Sequence, residues 1–224
     1  MNLLPLLATA FGLGLVHSFD VDHLCAVTSF SSNARSVREA FWLGVRWAIG
    51  HTAALLVFGL ILVALKATAL PWINSVTELC VGAVLIGVGV WVIRDVFRQK
   101  HIHGHWHQHD GARHFHLHSH KQSAQHAHGH ALTFIGLLHG LAGTSAVMVL
   151  IPVMLLHSLG GAALYILVFG AGTVVSMGLF GACAGRLFAV VARWQQVLRA
   201  LKGCVGLASC LVGAVWIVRN LALR

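Results

Sequence analysis

Six long apolar stretches occupy most of this sequence, at residues 3–30, 40–65, 71–93, 131–156, 160–184 and 198–222. Each is close to the roughly 20 residues that an α-helix needs to cross the hydrocarbon core of a bilayer. Only 9% of the residues are charged, against about 25% in an ordinary soluble domain. The continuous runs lack the alternation of a membrane β-barrel, and the first run is too long for a removable signal peptide. We predict an all-α integral membrane protein with six transmembrane helices.

The basic residues are distributed unequally between alternate loops of this arrangement. Eleven of the fifteen Lys and Arg residues belong to the first, third and fifth loops, and three belong to the opposite side. Because positive charge accumulates on the cytoplasmic side of membrane proteins, these loops are predicted to be cytoplasmic and both termini outside. The formal net charge of +9 is therefore explained by the cytoplasmic loops of a protein in the cytoplasmic (inner) membrane. We expect the partner to be a lipid bilayer rather than nucleic acid.

The two halves of the chain resemble each other. Residues 13–17 align with 135–139 at an offset of 122, residues 50–52 with 171–173 at 121, and residues 80–82 with 204–206 at 124. Each half holds three predicted helices, an odd number, so the second copy would enter the membrane from the opposite face. Such a 3+3 inverted repeat is typical of secondary transporters, which bind their substrate near the membrane midplane. We predict a first repeat at 1–93, a His-rich cytoplasmic loop at 94–130 and a second repeat at 131–224.

Few ionisable residues lie within the predicted helices, and such a group in hydrocarbon is costly enough to indicate a function. The densest group is at residues 17–23. On a regular helix, at about 100° per residue, His17, Asp20 and His23 share one face and Asp22 points away. Imidazole and carboxylate groups together suit a divalent transition-metal ion. Asp22 would either orient a histidine from behind or reach the metal through local unwinding.

Two further histidines, His51 and His139, lie in the second and fourth predicted helices. A lone histidine on an apolar helix often serves packing, but the cluster in the first helix favours a role in metal binding for both. Thr144 and Ser145, which follow His139, and Glu78, near the start of the third helix, are predicted auxiliary residues. The predicted metal ligands are thus His17, Asp20, Asp22, His23, His51 and His139.

Residues 17–24, with the sequence HSFDVDHL, resemble the HxxxxDH signature of the nickel/cobalt transporter family. The Gly-His-Thr element at 50–52 resembles a Gly-His-Ser or Gly-His-Thr element in that family's next helix. The resemblance implies that the histidines and aspartates of these two elements select the metal. Val16 replaces the Arg that usually precedes the signature, and six helices are fewer than in the longer uptake permeases. The chain therefore resembles the shorter branch of the superfamily, which includes urease-accessory-like permeases and exporters.

A histidine-rich tract separates the two halves. It contains twelve of the 17 histidines, namely His101, His103, His105, His107, His109, His114, His116, His118, His120, His126, His128 and His130. With little apolar content the tract cannot form a core, so we expect no fixed structure before metal binds. Flexible imidazoles impose no particular geometry. The tract is therefore predicted to buffer, deliver or sense metal, and a cytoplasmic metallochaperone is considered as its partner.

These features predict a secondary transporter for Ni²⁺, and for Co²⁺ as a second substrate, with no resident cofactor. Uptake is favoured, because a divalent cation gains about 4.6 kcal/mol per 100 mV on entering a negative interior. The alternatives are Ni²⁺ or Co²⁺ efflux by proton antiport, with the acidic residues as proton carriers, and a zinc transporter of another family. We predict no enzymatic activity and no catalytic residue, since HExxH and repeated HxxHH boxes are missing from the sequence.

Overall fold

A computed structural model of the chain describes residues 3–64, 71–98, 104–109, 112–117, 127–141 and 158–222. The helices are α1 (Leu3–His17), α2 (Val21–Ser31), α3 (Val37–Ala64), α4 (Pro71–Arg98), α5 (Ala127–Leu141), α6 (Leu159–Val191) and α7 (Gln195–Ala222). Two short strands, β1 (Gly104–His109) and β2 (Ala112–Leu117), lie between α4 and α5. The helices follow the predicted apolar stretches, and the connection between α4 and α5 is shorter at both ends than the predicted loop.

Four helices are long and apolar enough to cross a membrane, namely Val37–Ala64, Ser75–Phe97, Leu159–Val191 and Gln195–Ala222. The pair α1 and α2 passes the same test as one span with a bend of 62°, so the described residues contain up to five spans. In the predicted fourth span the shorter apolar helix Leu132–Leu141 is present, and the rest lies outside the described residues. The prediction of an all-α, multi-pass membrane protein is confirmed.

The packing of α7 shows how lipid shapes this bundle. Its exposed side carries large apolar residues, among them Val197, Leu207 and Val218. Its buried side carries small or polar residues, among them Gly206, Ser209 and Gly213. Large apolar side chains gain nothing by leaving lipid, so small residues occupy the contacts where helix backbones approach each other. Ser209 Oγ donates a hydrogen bond to the Leu85 carbonyl at 2.8 Å, which joins α7 to α4.

The closest helix approaches occur in reciprocal pairs. A Cβ atom on Gly14 of α1 would collide with the backbone of Phe169 in α6, and one on Gly136 of α5 would collide with the backbone of Trp47 in α3. Each residue of one contact lies 122 positions from its counterpart in the other. The α1–α6 and α5–α3 contacts therefore recur at the offset that aligns residues 13–17 with 135–139 in the sequence.

A buried lysine joins three helices at one end of the bundle. Lys202 of α7 is 4% exposed, although the sequence analysis counted it as a loop charge. Its Nζ donates to Asn33 Oδ1 at 2.7 Å, just after α2, and lies 3.3 Å from Asp95 Oδ2 of α4. A buried charge requires partners of this kind, and these partners come from distant parts of the sequence.

Two segments of the histidine-rich tract, β1 and β2, pair as an antiparallel hairpin, whereas the composition of the tract predicts no fixed structure. Histidines lie opposite each other at two registers, His105 with His116 and His107 with His114. The regular spacing of the histidines is thus compatible with strand pairing.

Candidate metal centre

The signature segment is a broken helix rather than a regular one. α1 ends at His17 and α2 begins at Val21, with a bend of 62° between them. Asp20 has φ −59° and ψ 138°, outside the helical region, and Ser18 Oγ donates to the Gly14 carbonyl at 2.9 Å. Such local side-chain bonds compete with the helical backbone pattern. The regular helix assumed for residues 17–23 is thus interrupted, as in the local unwinding considered for Asp22, and the break brings the ends of α1 and α2 together.

Four buried histidines from four helices meet beside this break. His17, His23 and His51 each offer a ring nitrogen, and these nitrogens lie within 4.8 Å of one another. His139 of α5 lies next to them, with its ring centroid 5.6 Å from that of His23. None of the four is more than 3% exposed. The cluster therefore takes three histidines from the first half of the chain and one from the second.

In three of these histidines, Nδ1 lies against an oxygen atom, with hydrogen-bond geometry at His23 and His139. His23 Nδ1 lies 2.8 Å from Asp22 Oδ1, and His17 Nδ1 lies 3.1 Å from Asp20 Oδ2. His139 Nδ1 lies 2.9 Å from a backbone carbonyl one turn earlier in α5. Ionised carboxylates and carbonyls only accept hydrogen bonds, so in the neutral rings Nδ1 carries the proton and Nε2 the lone pair. Within the described ranges, these three buried Nε2 atoms have no hydrogen-bond partner.

This arrangement has the chemistry of a site for a divalent transition metal. Metal–nitrogen bonds are about 2.0–2.1 Å long, so two nitrogens on opposite sides of one ion are about 4.2 Å apart. The nitrogens of His17, His23 and His51, which lie within 4.8 Å of one another, can reach such an ion by small side-chain movements. Two of these rings are also oriented by carboxylates, which is the usual arrangement behind a metal-binding histidine.

Close contact between α3 and α5 brings the second half of the chain to the site. A Cβ atom on Gly136 would meet the backbone of Trp47 and His51, and one on Gly140 would meet the carbonyl oxygen of His51. Because α3 carries His51 and α5 carries His139, the absence of side chains at these glycines lets the two histidines share one cluster.

The two aspartates and His23 line a cavity of about 520 Å³. The cavity is lined by residues 19–23, at the helix break, and by residues of α7 that include Arg219. The side chain of Asp20 is 41% exposed and that of Asp22 is 13% exposed. Together with His23 they form a second group of closely spaced ligand atoms. Of the two roles considered for Asp22, its hydrogen bond to His23 favours the orientation of that ring from behind.

The other predicted site residues lie elsewhere. Glu78 accepts a hydrogen bond from Asn220 Nδ2 at 2.8 Å, near the end of α7, and belongs to neither group of ligand atoms found among the described residues. Residues outside the described ranges are Thr144, Ser145, His101, His103, His118, His120 and His126. The remaining histidines of the tract lie on the hairpin or at the start of α5, namely His105, His107, His109, His114, His116, His128 and His130.

Two aromatic residues that the sequence analysis did not single out lie against the cluster. The ring of Trp47 stacks on that of His51, with centroids 5.0 Å apart and planes 17° apart. It also lies edge-on to His23 at 4.6 Å. Phe169 lies 5.5 Å from His17. The sequence could have indicated Trp47, because it precedes His51 by four residues and so lies one helical turn away on the same face of the helix.

Comparison with known proteins finds relatives along nearly the whole chain. Urease accessory protein UreH from Bacillus sp. (strain TB-90) is 33% identical over 213 residues, which cover 95% of this chain and 90% of that protein. A candidate nickel/cobalt efflux system from Methanocaldococcus jannaschii is 28% identical over 98 residues, 42% of this chain and 45% of that protein. Chloroplast protein FOR GROWTH AND FERTILITY 1 from Arabidopsis thaliana is 25% identical over 205 residues, 89% of this chain and 56% of that protein. No solved structure matches the chain.

These relatives are named for accessory, efflux and growth roles rather than for an enzymatic reaction, in agreement with the prediction that the chain is not an enzyme. The resemblance to the shorter branch of the nickel/cobalt transporter family is confirmed by the first two of them. The family described as cytochrome C biogenesis protein transmembrane region matches residues 9–213, which include the whole histidine cluster. The chain therefore belongs to the cytochrome C biogenesis protein transmembrane region family, in the branch that includes urease accessory protein UreH.

Proposed function

We propose that the chain is a secondary transporter that takes up Ni²⁺, and Co²⁺ as a second substrate, across the cytoplasmic membrane. One observation carries the proposal: four buried imidazoles converge at a helix break in a multi-pass membrane protein, with Nε2 of His17, His23 and His139 unpartnered among the described residues. The name of one relative, a nickel/cobalt efflux system, supports the choice of metal. The ion is cargo, and the proposal needs no resident cofactor.

The proposed architecture is a bundle of six transmembrane helices arranged as two inverted repeats. The reciprocal contacts of α1 with α6 and of α5 with α3 support it. The α4–α7 pair adds a second set, in which a Cβ on Gly82 would meet the Gly213 carbonyl and one on Gly206 would meet the Gly89 carbonyl. Here the equivalent positions differ by 124 residues, as in the sequence alignment. Contacts related in this way are expected around a pseudo-two-fold axis in the membrane plane.

The contacts also favour a different alignment of the second helices of the two halves, α3 and α6. This alignment is shifted by one residue from the one that the sequence comparison gave. A Cβ on Gly50 would meet the backbone of Thr133, and one on Gly172 would meet the backbone of Phe11. These contacts pair Gly50 with Gly172, so the counterpart of His51 is Thr173 rather than Gly172. The hydroxyl of Thr173 already donates to the Gly14 carbonyl at 3.3 Å. The proposed metal site is therefore asymmetric, with its ligands concentrated in the first half.

The proposed path begins at the cavity beside the helix break. A hydrated cation would first meet the partly exposed carboxylates of Asp20 and Asp22, whose negative charge attracts it. It would then exchange water for the buried imidazoles, which bind Ni²⁺ and Co²⁺ well. On the other side of the cluster, apolar residues of α2 and α5 pack together, among them Val27, Phe30 and Leu132. The arrangement thus corresponds to a carrier that is open on one side of the membrane and closed on the other.

The basic loops support the orientation of this path. If the first loop is cytoplasmic, the packed apolar residues of α2 and α5 lie at the cytoplasmic end, together with the Lys202 contacts to Asn33 and Asp95. The cavity then opens to the outside. Entry of a divalent cation is then driven by about 4.6 kcal/mol per 100 mV of membrane potential. Efflux remains the second candidate, because a relative is named for it; it would require exchange for another ion such as a proton.

The histidine-rich tract is proposed to receive metal on the cytoplasmic side. It connects the end of α4 with the start of α5, at the same end of the bundle as the basic first loop. Imidazoles there can hold ions as they leave the transport path, as a buffer or for delivery to a cytoplasmic metallochaperone. The tract is not proposed to select the metal.

Flux measurements in proteoliposomes with a set membrane potential test the proposal. Ni²⁺ and Co²⁺ should enter the compartment that is made negative, faster than Zn²⁺, and His17→Ala should abolish the flux. A matched variant with the histidines of residues 101–126 changed to serine should keep the maximal rate. Absence of flux for every divalent metal in both directions would overturn the transport function. Flux only against the potential and coupled to protons would replace uptake with efflux, and a preference for Zn²⁺ would replace the substrate.

A further inference from the structure

The four histidines of the cluster are not held in place by the same means. His17 and His23 are oriented by carboxylates and His139 by a backbone carbonyl. Both ring nitrogens of His51 are buried and have no hydrogen-bond partner among the residues that the structure describes. A ring without hydrogen bonds can turn about its side-chain bonds unless packing prevents it. The orientation of His51 must therefore come from its neighbours in the core.

Trp47 is the neighbour that limits this rotation. It is fully buried, and its ring is nearly parallel to that of His51, at 5.0 Å. The same indole lies edge-on to His23, at 4.6 Å, and to His139, at 5.6 Å. It therefore contacts three of the four imidazoles and fills the space between α3, α2 and α5. Aromatic stacking and edge contacts of this kind have defined geometries.

The indole acts through its ring face rather than through a hydrogen bond. Trp47 Nε1 is buried and has no hydrogen-bond partner in the described part of the chain. A smaller aromatic ring at this position would therefore keep the relevant contact, whereas an aliphatic side chain of similar reach would not.

We infer that Trp47 is a positioning residue for His51, which it holds by stacking as Asp22 holds His23 by hydrogen bonding. The inference rests on the proposed transport function. Partners that orient a metal-binding histidine contribute about 10- to 100-fold to metal affinity. Loss of the ring should therefore weaken binding of Ni²⁺ without changing any ligand atom.

Phe169 offers a matched control. It is as deeply buried as Trp47, lies 122 positions further along the chain, and its ring is 5.5 Å from His17. His17, however, is already oriented by Asp20 at 3.1 Å. Replacing either aromatic residue with methionine removes a large core ring, so both variants lose packing, but only the Trp47 variant loses the orientation of a histidine.

The experiment measures initial Ni²⁺ uptake by full-length protein in proteoliposomes, with the thermal unfolding temperature of each variant. Trp47→Met should raise KM about tenfold or more, and Trp47→Phe should restore it to within about threefold of the wild type. Phe169→Met should lower the unfolding temperature as Trp47→Met does, with KM within about threefold of the wild type. In the wild type, bound Ni²⁺ should also quench tryptophan fluorescence more than in Trp47→Phe.

The outcomes distinguish a failure of the positioning role of Trp47 from a failure of the proposed transport function. A wild-type KM in Trp47→Met, or an equal rise of KM in Phe169→Met, would overturn the positioning role while the transporter still works. If Trp47→Met does not fold, an unchanged Ni²⁺ quench in Trp47→Phe would overturn it instead. Absence of Ni²⁺ flux in the wild type would overturn the proposed function itself.

Discussion

At the scale of single residues, the proposed site depends on which groups would bind the metal and which would orient those groups. Asp20 and Asp22 are three residues or fewer from a histidine and carry the same charge, yet their surroundings differ. The Asp22 carboxylate is 2.8 Å from His23 and 13% exposed, whereas that of Asp20 is 3.1 Å from His17 and 41% exposed. Because a shielded hydrogen bond to a charged group is stronger than a hydrated one, Asp22 should orient its histidine more firmly.

This difference predicts unequal effects of two matched substitutions. Asp22→Asn should reduce Ni²⁺ affinity by about 10- to 100-fold, since the amide orients the imidazole less strongly than the carboxylate, whereas Asp20→Asn should have a smaller effect. The measurement is the concentration dependence of initial Ni²⁺ uptake for the two variants. Equal affinity in Asp22→Asn and the wild type would show that the carboxylate does not orient His23.

At the scale of helices, the site depends on how closely α3 and α5 approach. The glycines at this contact have no room for a side chain, whereas Gly87 of α4 has no atom within 4 Å of the position its Cβ would take. The same substitution should therefore act in opposite directions at the two places. Where backbones touch, the methyl group of alanine pushes the helices apart. Where space is open, alanine favours the helical conformation more than glycine does.

Gly136→Ala and Gly87→Ala test this contact. Gly136→Ala should destabilise the protein by about 1–3 kcal/mol through overpacking, and it should lower Ni²⁺ affinity by displacing His139 from the other histidines. Gly87→Ala should keep affinity and change stability by at most about 1 kcal/mol in the favourable direction. Thermal unfolding of the detergent-solubilised protein measures stability, and the concentration dependence of Ni²⁺ uptake measures affinity. An undiminished unfolding temperature in Gly136→Ala would contradict the described contact.

The sequence predicted the helices well because lipid demands long apolar runs, and it predicted the four clustered histidines because ionisable groups are rare inside such runs. It gave local unwinding only as an alternative for Asp22 and did not locate the break between His17 and Val21, since the helical periodicity of 17–23 assumes continuity that Ser18 and Asp20 interrupt. It also missed the role of Lys202, whose partners Asn33 and Asp95 are distant in sequence. Contacts of that kind depend on how helices pair, which no local pattern records.

At the scale of the whole molecule, the two ends of the proposed path differ. Val212, which lines the cavity near Asp22 and His23, belongs to the open side. Ser29 of α2 is fully buried, on the side that the apolar residues close. If the basic loops are cytoplasmic, the open side faces outward, and a reagent that does not cross membranes can distinguish the two positions.

Cysteine labelling in intact cells tests this arrangement, in a chain whose five native cysteines are replaced. Val212→Cys should react with an impermeant thiol reagent added outside, more slowly when Ni²⁺ is present. Ser29→Cys should be protected, because the apolar packing of α2 excludes water. Labelling of Val212→Cys only after the cytoplasmic side is exposed would reverse the orientation, and rapid labelling of Ser29→Cys from outside would contradict a closed inner side.

Three of the clustered histidines lie in one half of the chain and one lies in the other. This division has a consequence for how fast different metals leave the site. In the proposed site, an ion bound by histidines of both halves would link the halves, so it must release at least one imidazole before they can separate. Copper(II) binds nitrogen ligands more tightly than nickel(II) does. The ion with the highest affinity would therefore leave most slowly, and it would act on this protein as an inhibitor rather than as a substrate.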